Sequence, residues 1–299
     1  MQNHSSDKTP LVTIGIPTYK GSENIPSAIE SLMKQDYQNL EILISDNCSP
    51  DHTEEVCRAL AEKYPQIRYV RQENNLGAIP NFNYVLHHAK GKYFMWLSDD
   101  DWLQENIVST YVDFLENNQD YALVSGKILY WDGEEITYCE EALSFEEEKG
   151  IERAANYYAI WKQGAIVYGL MRTEWAQKSE LPIALGNDWH FIADIAYMGK
   201  IKQLEVVGYN KAQGGLSDNY HNYAKKMNAH PIWGYMPYTK IALDAFKRIG
   251  GKEPLYKGDP WSKRIGGGMK AASGIWWRYI FPYYPRMLKR NLTRILAAK

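Results

Sequence analysis

Tyr93-Phe94-Met95-Trp96-Leu97-Ser98-Asp99-Asp100-Asp101 decides how this chain folds. Five apolar residues run straight into a serine and three adjacent carboxylates. So short an apolar run reads as a buried strand, and the acids mark where it leaves the core. Toward the N-terminus the same layout repeats. Residues 11–16, 40–45 and 67–70 are short β-rich apolar runs, each followed by polar residues. Between the strands, residues 22–35, 52–64 and 79–89 space their apolar side chains helically, as Ile25, Ala28, Ile29, Leu32 and Met33 do. Strands separated by single helices predict right-handed βαβ units and a mostly parallel sheet. Ligands bind at the carboxyl ends of such strands. The loops at 17–22, 46–51 and 98–101 all follow strands, so they are expected on one rim.

Downstream the pattern loosens. Residues 121–125, 127–130 and 165–171 read as strands, and 140–148 as an acidic surface loop or helix start. Residues 188–198 read as a helix stopped by Gly199. From Tyr220 onward the segments are helical, most clearly 224–248. Gly266-Gly267-Gly268 reads as a hinge before the aromatic run 275–281.

Composition sets limits. The chain has 299 residues and a net charge of -2, with 45% apolar and 23% charged residues. These values exclude a disordered, collagen-like or coiled-coil chain. The near-zero charge argues against a protein that coats nucleic acid. Cys48, Cys57 and Cys139 are odd in number and widely spaced, which favours a reducing compartment over a disulfide framework. Residues 1–10 have no apolar core, so no secretory signal is expected. No apolar run reaches transmembrane length either, and a cytoplasmic location is expected. Tyr (23) and Trp (10) outnumber Phe (7), a bias that suits interfaces and sugar faces. After Asp259 there is no acidic residue, and nine Lys and Arg residues follow.

The acidic triplet is the strongest chemical signal. Adjacent carboxylates repel unless a cation or protons compensate. Such oxygen ligands suit Mg²⁺ or Mn²⁺ bound together with substrate phosphates, and a solvated acidic turn is the plain alternative. Asp46, just past a buried strand, either accepts hydrogen bonds from a nucleoside or closes an Asx turn before the helix from His52.

Taken in order, Ile14–Tyr19, Ser31-Leu32 with Gln35, Ile44–Asp51, Asn75-Leu76-Gly77, Asn81, Asn83, Gly91-Lys92-Tyr93 and Trp96–Asp101 resemble the family 2 glycosyltransferases. The resemblance is close over about residues 10–125 and weaker to about 215. It implies the GT-A fold: an α/β, Rossmann-like, mostly parallel central sheet with flanking helices, here with a helical C-terminal extension. It implies a catalytic domain over 1–219, with 1–110 binding the nucleotide sugar and 111–219 the acceptor, and an extension over 220–299. It implies that Pro17, Thr18 and Tyr19 embrace the base and ribose, that Asp46 contacts the base, and that Asn75–Gly77 lies beside the nucleotide. It also implies a divalent metal, Mn²⁺ or Mg²⁺, held against the diphosphate of a UDP-, dTDP- or CDP-linked sugar. Two positions depart from the common pattern. Lys20 stands where Asn is usual. Ser98 stands where an Asp contacts the ribose, which leaves Asp99 on the nucleotide sugar and Asp100 and Asp101 as metal ligands, Asp100 the better. The Trp96–Asp101 variant resembles a subgroup that transfers deoxysugars such as abequose or rhamnose.

Gly186-Asn187-Asp188-Trp189-His190 resembles the family's acidic helix start, which implies Asp188 as the base that deprotonates an acceptor hydroxyl. Locally the same residues read as a helix cap. Trp189 and His190 are candidates to meet the acceptor, although His190 also reads as a surface histidine. Residues 214–221 form a polar loop of the kind that closes over a donor, and Lys225-Lys226 follow it. The basic tail, with Trp276, Trp277, Tyr279, Phe281, Tyr283 and Tyr284, suits either a peripheral contact with an anionic membrane or packing on the core. No nucleic-acid module is present. The implied context is bacterial surface polysaccharide or lipid-linked oligosaccharide assembly. A sugar nucleotidyltransferase fits less well, because residues 17–22 lack its Gly-rich basic loop. A non-catalytic binding module would not need Asp46, Asp100 and Asp188 together.

Overall fold

Every strand expected in the first third is there: β-rich runs in the interior of the sheet have a neighbour on each side, and the run at 67–70 forms its edge. In the computed structural model, which describes residues 9–139, 141–160, 165–212 and 220–281, the chain opens with β1 (Val12–Thr18), α1 (Ile25–Met33), β2 (Leu40–Asp46), α2 (Thr53–Lys63), β3 (Ile67–Arg71), α3 (Ala78–His87) and β4 (Tyr93–Trp96). There follow β5 (Trp102–Leu103), α4 (Ile107–Asn117), β6 (Tyr121–Asp132), β7 (Glu135–Cys139), α5 (Gly150–Ile160), β8 (Leu170–Arg172), α6 (Thr173–Ala176), α7 (Asn187–Met198) and β9 (Lys200–Ala212). The described chain ends with α8 (Tyr220–Lys226), α9 (Ile232–Tyr235), α10 (Pro237–Gly250) and α11 (Trp261–Ile275), the last running into a π-turn over Trp276–Ile280.

The sheet order is β3-β2-β1-β4-β8-β6-β9-β5, with β7 paired to β6. β1, β2, β3 and β4 are parallel, as are β6 and β9; β5, β7 and β8 run antiparallel to their neighbours. The register sets Thr18 beside Asp46 and Asp46 beside Arg71. The carboxyl ends of β1, β2 and β3 therefore stand abreast, and β4, parallel to β1 with Trp96 beside Gly15, sends the 98–101 loop to the same end, as the sequence led one to expect. Ile14, Ile16, Ile42, Ile44, Met95 and Leu97 are fully buried in the same core.

The described residues divide into two units. One holds those within Met1–Ser144, Ala165–Leu181 and Gly199–Gln213, and so the whole sheet. The other holds those within Phe145–Gly164, Pro182–Met198 and Gly214–Lys299. The units do not divide at residue 219: α5 and α7 belong with the C-terminal helices.

Four local expectations need correction. Residues 121–130 form one strand, because Gly126 absorbs a bulge and lies where a Cβ would come within 2.5 Å of the Val206 carbonyl. Residues 165–168 form a 3₁₀ turn, and only Leu170–Arg172 is strand. The helix expected over 224–248 is three helices, broken where Asn228 takes a positive φ of 51° and where Pro231 and Pro237 start new turns. Gly266–Gly268 lie inside α11 and form no hinge. A Cβ on Gly268 would sit 3.0 Å from the Phe246 carbonyl, so the glycines let α11 approach α10 closely. The loop expected at 214–221 lies outside the described residues up to 219, and Tyr220 and His221 already belong to α8. Tyr283, Tyr284 and the rest of the tail beyond Phe281 also lie outside them.

Candidate active site

The rim is built by loops that tie one another down. Thr18, the last residue of β1, donates its hydroxyl to Asp99 past the end of β4. Gly21 has to be glycine here, since a Cβ would lie 2.4 Å from the Asp99 carboxylate. The β1 loop then crosses to the β2 loop. The Lys20 N–H donates to Ser49 Oγ (2.9 Å), the Gly21 N–H to Thr53 Oγ1 (3.0 Å) and the Ser22 hydroxyl to Asp51 (2.9 Å). Lys20 adopts φ 60°, the left-handed region in which Asn is at ease and a long side chain is not. Tyr19 is exposed beside it, with the Lys20 ammonium over its ring at 5.7 Å.

Asp46 is fully buried. Its carboxylate accepts from the Ser49 N–H (2.9 Å) and the Tyr69 hydroxyl (2.9 Å), and Arg71 lies 3.6 Å away. Its side chain therefore closes the β2 turn, at the end of a strand on the rim. Asn47, which sequence reasoning passed over, joins the β2 loop to the Asn75–Gly77 loop. Its amide donates to Asn75 Oδ1 (3.1 Å) and to the Gly77 carbonyl (3.0 Å), and its oxygen accepts from the Leu76 N–H (2.8 Å). Buried Asn81 bonds the Ser45 backbone and hydroxyl from below.

The acidic triplet separates into three environments. Asp99 is held by Thr18; burial pushes it up to about 6 against that hydrogen bond, and Asp100 and Asp101 add to the rise. Asp100 is exposed, and no side chain among the described residues bonds it. Its pKa is raised by enclosure and by Asp101, with Lys211 opposing. Asp101, expected as a metal ligand, is instead buried and committed. It accepts from the Tyr209 hydroxyl (2.8 Å), the Ala212 N–H (2.8 Å) and the Lys211 ammonium (3.3 Å). Burial works against the Lys211 charge, but Tyr168, Asp101 and Asp100 outweigh it and hold the ammonium above its ordinary pKa. Ser98 is tied to the same wall: its N–H donates to Tyr209 (3.1 Å) and its hydroxyl to Tyr168 (3.2 Å), and the two tyrosine rings stack at 4.7 Å.

Among the described residues no three His, Cys, Asp or Glu side chains form a ready-made metal cage. A hard divalent cation that keeps waters and takes phosphate oxygens needs only one or two protein carboxylates. Asp100, with Asp99 beside it in sequence, fits that requirement.

In the second unit, α7 starts after Gly186, whose φ is 68°. Asn187 caps the helix start by accepting from the Asp188 N–H (2.8 Å) and the Tyr223 hydroxyl (3.0 Å). Asp188 is half-buried and pairs with no cation among the described residues, and burial pushes it up to about 6. Asp194, two turns on, is by contrast locked to Arg248 (2.9 Å) and Tyr256 (2.8 Å). His190 is no surface residue. It is 2% exposed and bonds Tyr158 (2.7 Å), and burial, with Arg248 and Lys240, pulls its imidazole down to about 3, so it stays neutral. Trp189 is also buried, against Tyr238 and Tyr279. Neither has the exposure of a surface for meeting an acceptor.

Residues 13–171, just over half of the chain, match the profile of Glycosyl transferase family 2. The chain belongs to that family. An uncharacterised glycosyltransferase of Rickettsia bellii is 38% identical over 140 residues, 43% of this chain and 20% of that protein. The GalNAc(5)-diNAcBac-PP-undecaprenol beta-1,3-glucosyltransferase of Campylobacter jejuni is 33% identical over 121 residues, 40% of this chain and 38% of that protein. The chain thus spans well under half the length of either relative. Among solved structures, S. aureus TarS 1-349 in complex with UDP-GlcNAc superposes with a TM-score of 0.57 at 17% identity, covering 88% of this chain and 81% of that one. The mannosyltransferase PcManGT from Pyrobaculum calidifontis, in complex with GDP-Man and Mn²⁺, gives 0.55 at 17% identity, covering 98% and 82%. The fold of this family 2 chain is GT-A.

Proposed function

We propose that this chain is an inverting, metal-dependent glycosyltransferase. It moves a hexosyl or deoxyhexosyl group from a UDP-, dTDP- or CDP-linked sugar to a hydroxyl of a glycan or lipid-linked acceptor. The setting is bacterial surface polysaccharide or lipopolysaccharide assembly on the cytoplasmic side. The observation that carries this reading is the rim in which Thr18 holds Asp99 while Asp100 keeps its oxygens free. Support comes from the lipid-linked acceptor named for the Campylobacter jejuni relative and from the nucleotide sugars bound to the two solved neighbours, one of them with Mn²⁺.

In this reading residues 1–110 bind the donor and residues 111–219 bear the acceptor site. Tyr19 lies against the base, with Pro17, Thr18, Asp46 and the Asn75–Gly77 loop around the nucleoside. Asp100, with Asp99, would hold the cation. When bound, that cation neutralises charge on the departing diphosphate. Asp188 takes the proton of the acceptor hydroxyl as its oxygen bonds the anomeric carbon and the bond to the diphosphate oxygen breaks. Configuration is inverted in that single displacement. A carboxylate raised to about 6 is still ionised near neutral pH and is a better base than an ordinary aspartate.

The test is donor hydrolysis. Purified protein is incubated with UDP-, dTDP-, CDP- and GDP-sugars, with Mn²⁺ and with EDTA, and free nucleotide is measured. One donor class turned over only with metal, and by wild type but not by Asp100→Ala, is the expected result. Absence of hydrolysis with every donor would leave a binding module in its place.

A further inference from the structure

α11 packs inside out. A surface helix ordinarily turns its large apolar side chains to the core and its small or polar ones to water. Here the buried positions are Gly268, Ala271 and Ile275. Gly267 and Gly274 also press inward: a Cβ on Gly267 would lie 3.0 Å from Ile151, and one on Gly274 2.4 Å from the Ala159 backbone. Five large residues face solvent, while Ile275 and Ile280 turn inward. Trp261 is 68% exposed, Met269 60%, Trp276 51%, Trp277 71% and Phe281 59%. Tyr279, stacked on Tyr238 at 4.7 Å, anchors the π-turn that follows α11, and Trp277 stacks on Phe281 at 5.0 Å with both still exposed. Interleaved with them are exposed Lys263 and Lys270 and partly exposed Arg278, and no acidic residue follows Asp259. Exposed large apolar residues grouped on one element mark an interaction site.

We infer that the exposed face of α11 and its π-turn docks on an anionic lipid bilayer surface. The side-chain chemistry selects this occupant. Indole rings settle at the headgroup level of a bilayer, and lysines beside them are drawn to anionic lipid. No described helix is long and apolar enough to cross a membrane, so the element lies on the surface and does not span it. The inference goes beyond the transferase reading and stands without it, because vesicle binding needs no donor.

The experiment is co-sedimentation of the full chain with phosphatidylcholine vesicles, with and without phosphatidylglycerol, read together with tryptophan emission. Two variants are compared: Trp276→Ser/Trp277→Ser/Phe281→Ser, and Lys263→Glu/Lys270→Glu. All of these positions are exposed, and circular dichroism checks that both variants fold. Wild type is expected to sediment with the anionic vesicles, with a blue-shifted emission, and to be released by salt. The charge reversal is expected to weaken binding about tenfold or more, and the aromatic variant to abolish the blue shift. Equal sedimentation of wild type and both variants would overturn the inference. So would a solution dimer lost in the aromatic variant, which would make a second copy the occupant. Wild-type emission that anionic vesicles leave unchanged would overturn it too.

Discussion

Asp188 is the residue whose environment says most about its work. Its folded pKa, about 6, lies above the ~3.9 of an unfolded aspartate. Between about pH 4 and pH 6 the unfolded chain therefore loses this proton before the folded chain does, and stability falls as pH rises through that window. Asp188→Asn removes the buried charge. It is expected to stabilise the fold at pH 7 by on the order of 2 kcal/mol, with wild type catching up below about pH 4. The same variant is expected to lose ~10²–10⁴ in kcat. In wild type, kcat/KM is expected to fall below about pH 6 as the carboxylate takes its proton. Denaturation at two pH values and a pH–rate profile check the two halves; lower stability for Asp188→Asn at pH 7 would contradict the assignment. Lys211 makes the opposite case. Lys211→Met leaves Asp101 buried without its cation and is expected to cost about 2–4 kcal/mol. The double variant Lys211→Met/Asp101→Asn is expected to recover most of that, as a double-mutant cycle by urea denaturation would measure.

The elements that carry the rim were legible because burial wrote them plainly. β1, β2 and β4 are almost wholly buried, with Val12, Ile14, Ile16, Leu40, Ile42 and Ile44 lining one face of β1 and β2, and their helices repeat apolar residues at helical spacing. The back wall was not legible. β9 alternates lysines and glutamate with apolar residues, β5 has two residues, and β7 is exposed throughout. Tyr209 and Lys211 reach Asp101 from more than a hundred positions away, a distance that no local pattern reports. α4 was within reach, since Ile107, Val108, Tyr111, Val112 and Leu115 form one helical stripe. At this scale the β1 loop gives two predictions. Lys20→Gly is expected to stabilise the protein by about 1 kcal/mol, since it relieves a left-handed backbone. Gly21→Ala is expected to displace Asp99 and to weaken metal-dependent donor binding far more than it lowers Tm. A folded Gly21→Ala protein with unchanged donor affinity would contradict the packing of this rim.

At the scale of the whole molecule, the βα half was readable as one continuous motif series, and the second unit was not. α5, α7 and the C-terminal helices are dispersed along the chain and come together only in the fold. The glycine triplet misled for the same reason: three glycines in sequence look like a hinge until α10 is packed against Gly267 and Gly268. What unites the molecule functionally is the proposal that one cation at Asp100 couples nucleotide binding to the fold. A ligand bound only to the folded state raises its apparent stability by mass action, by about 2.7 kcal/mol at a hundred times its Kd. The most direct measurement is therefore the thermal shift produced by UDP, dTDP, CDP and GDP, each with and without Mn²⁺, on wild type and Asp100→Ala. One diphosphate is expected to raise Tm only when Mn²⁺ is present, and Asp100→Ala is expected to abolish the rise. No shift with any nucleotide, or a shift that Asp100→Ala leaves intact, would contradict a metal-held donor at this rim.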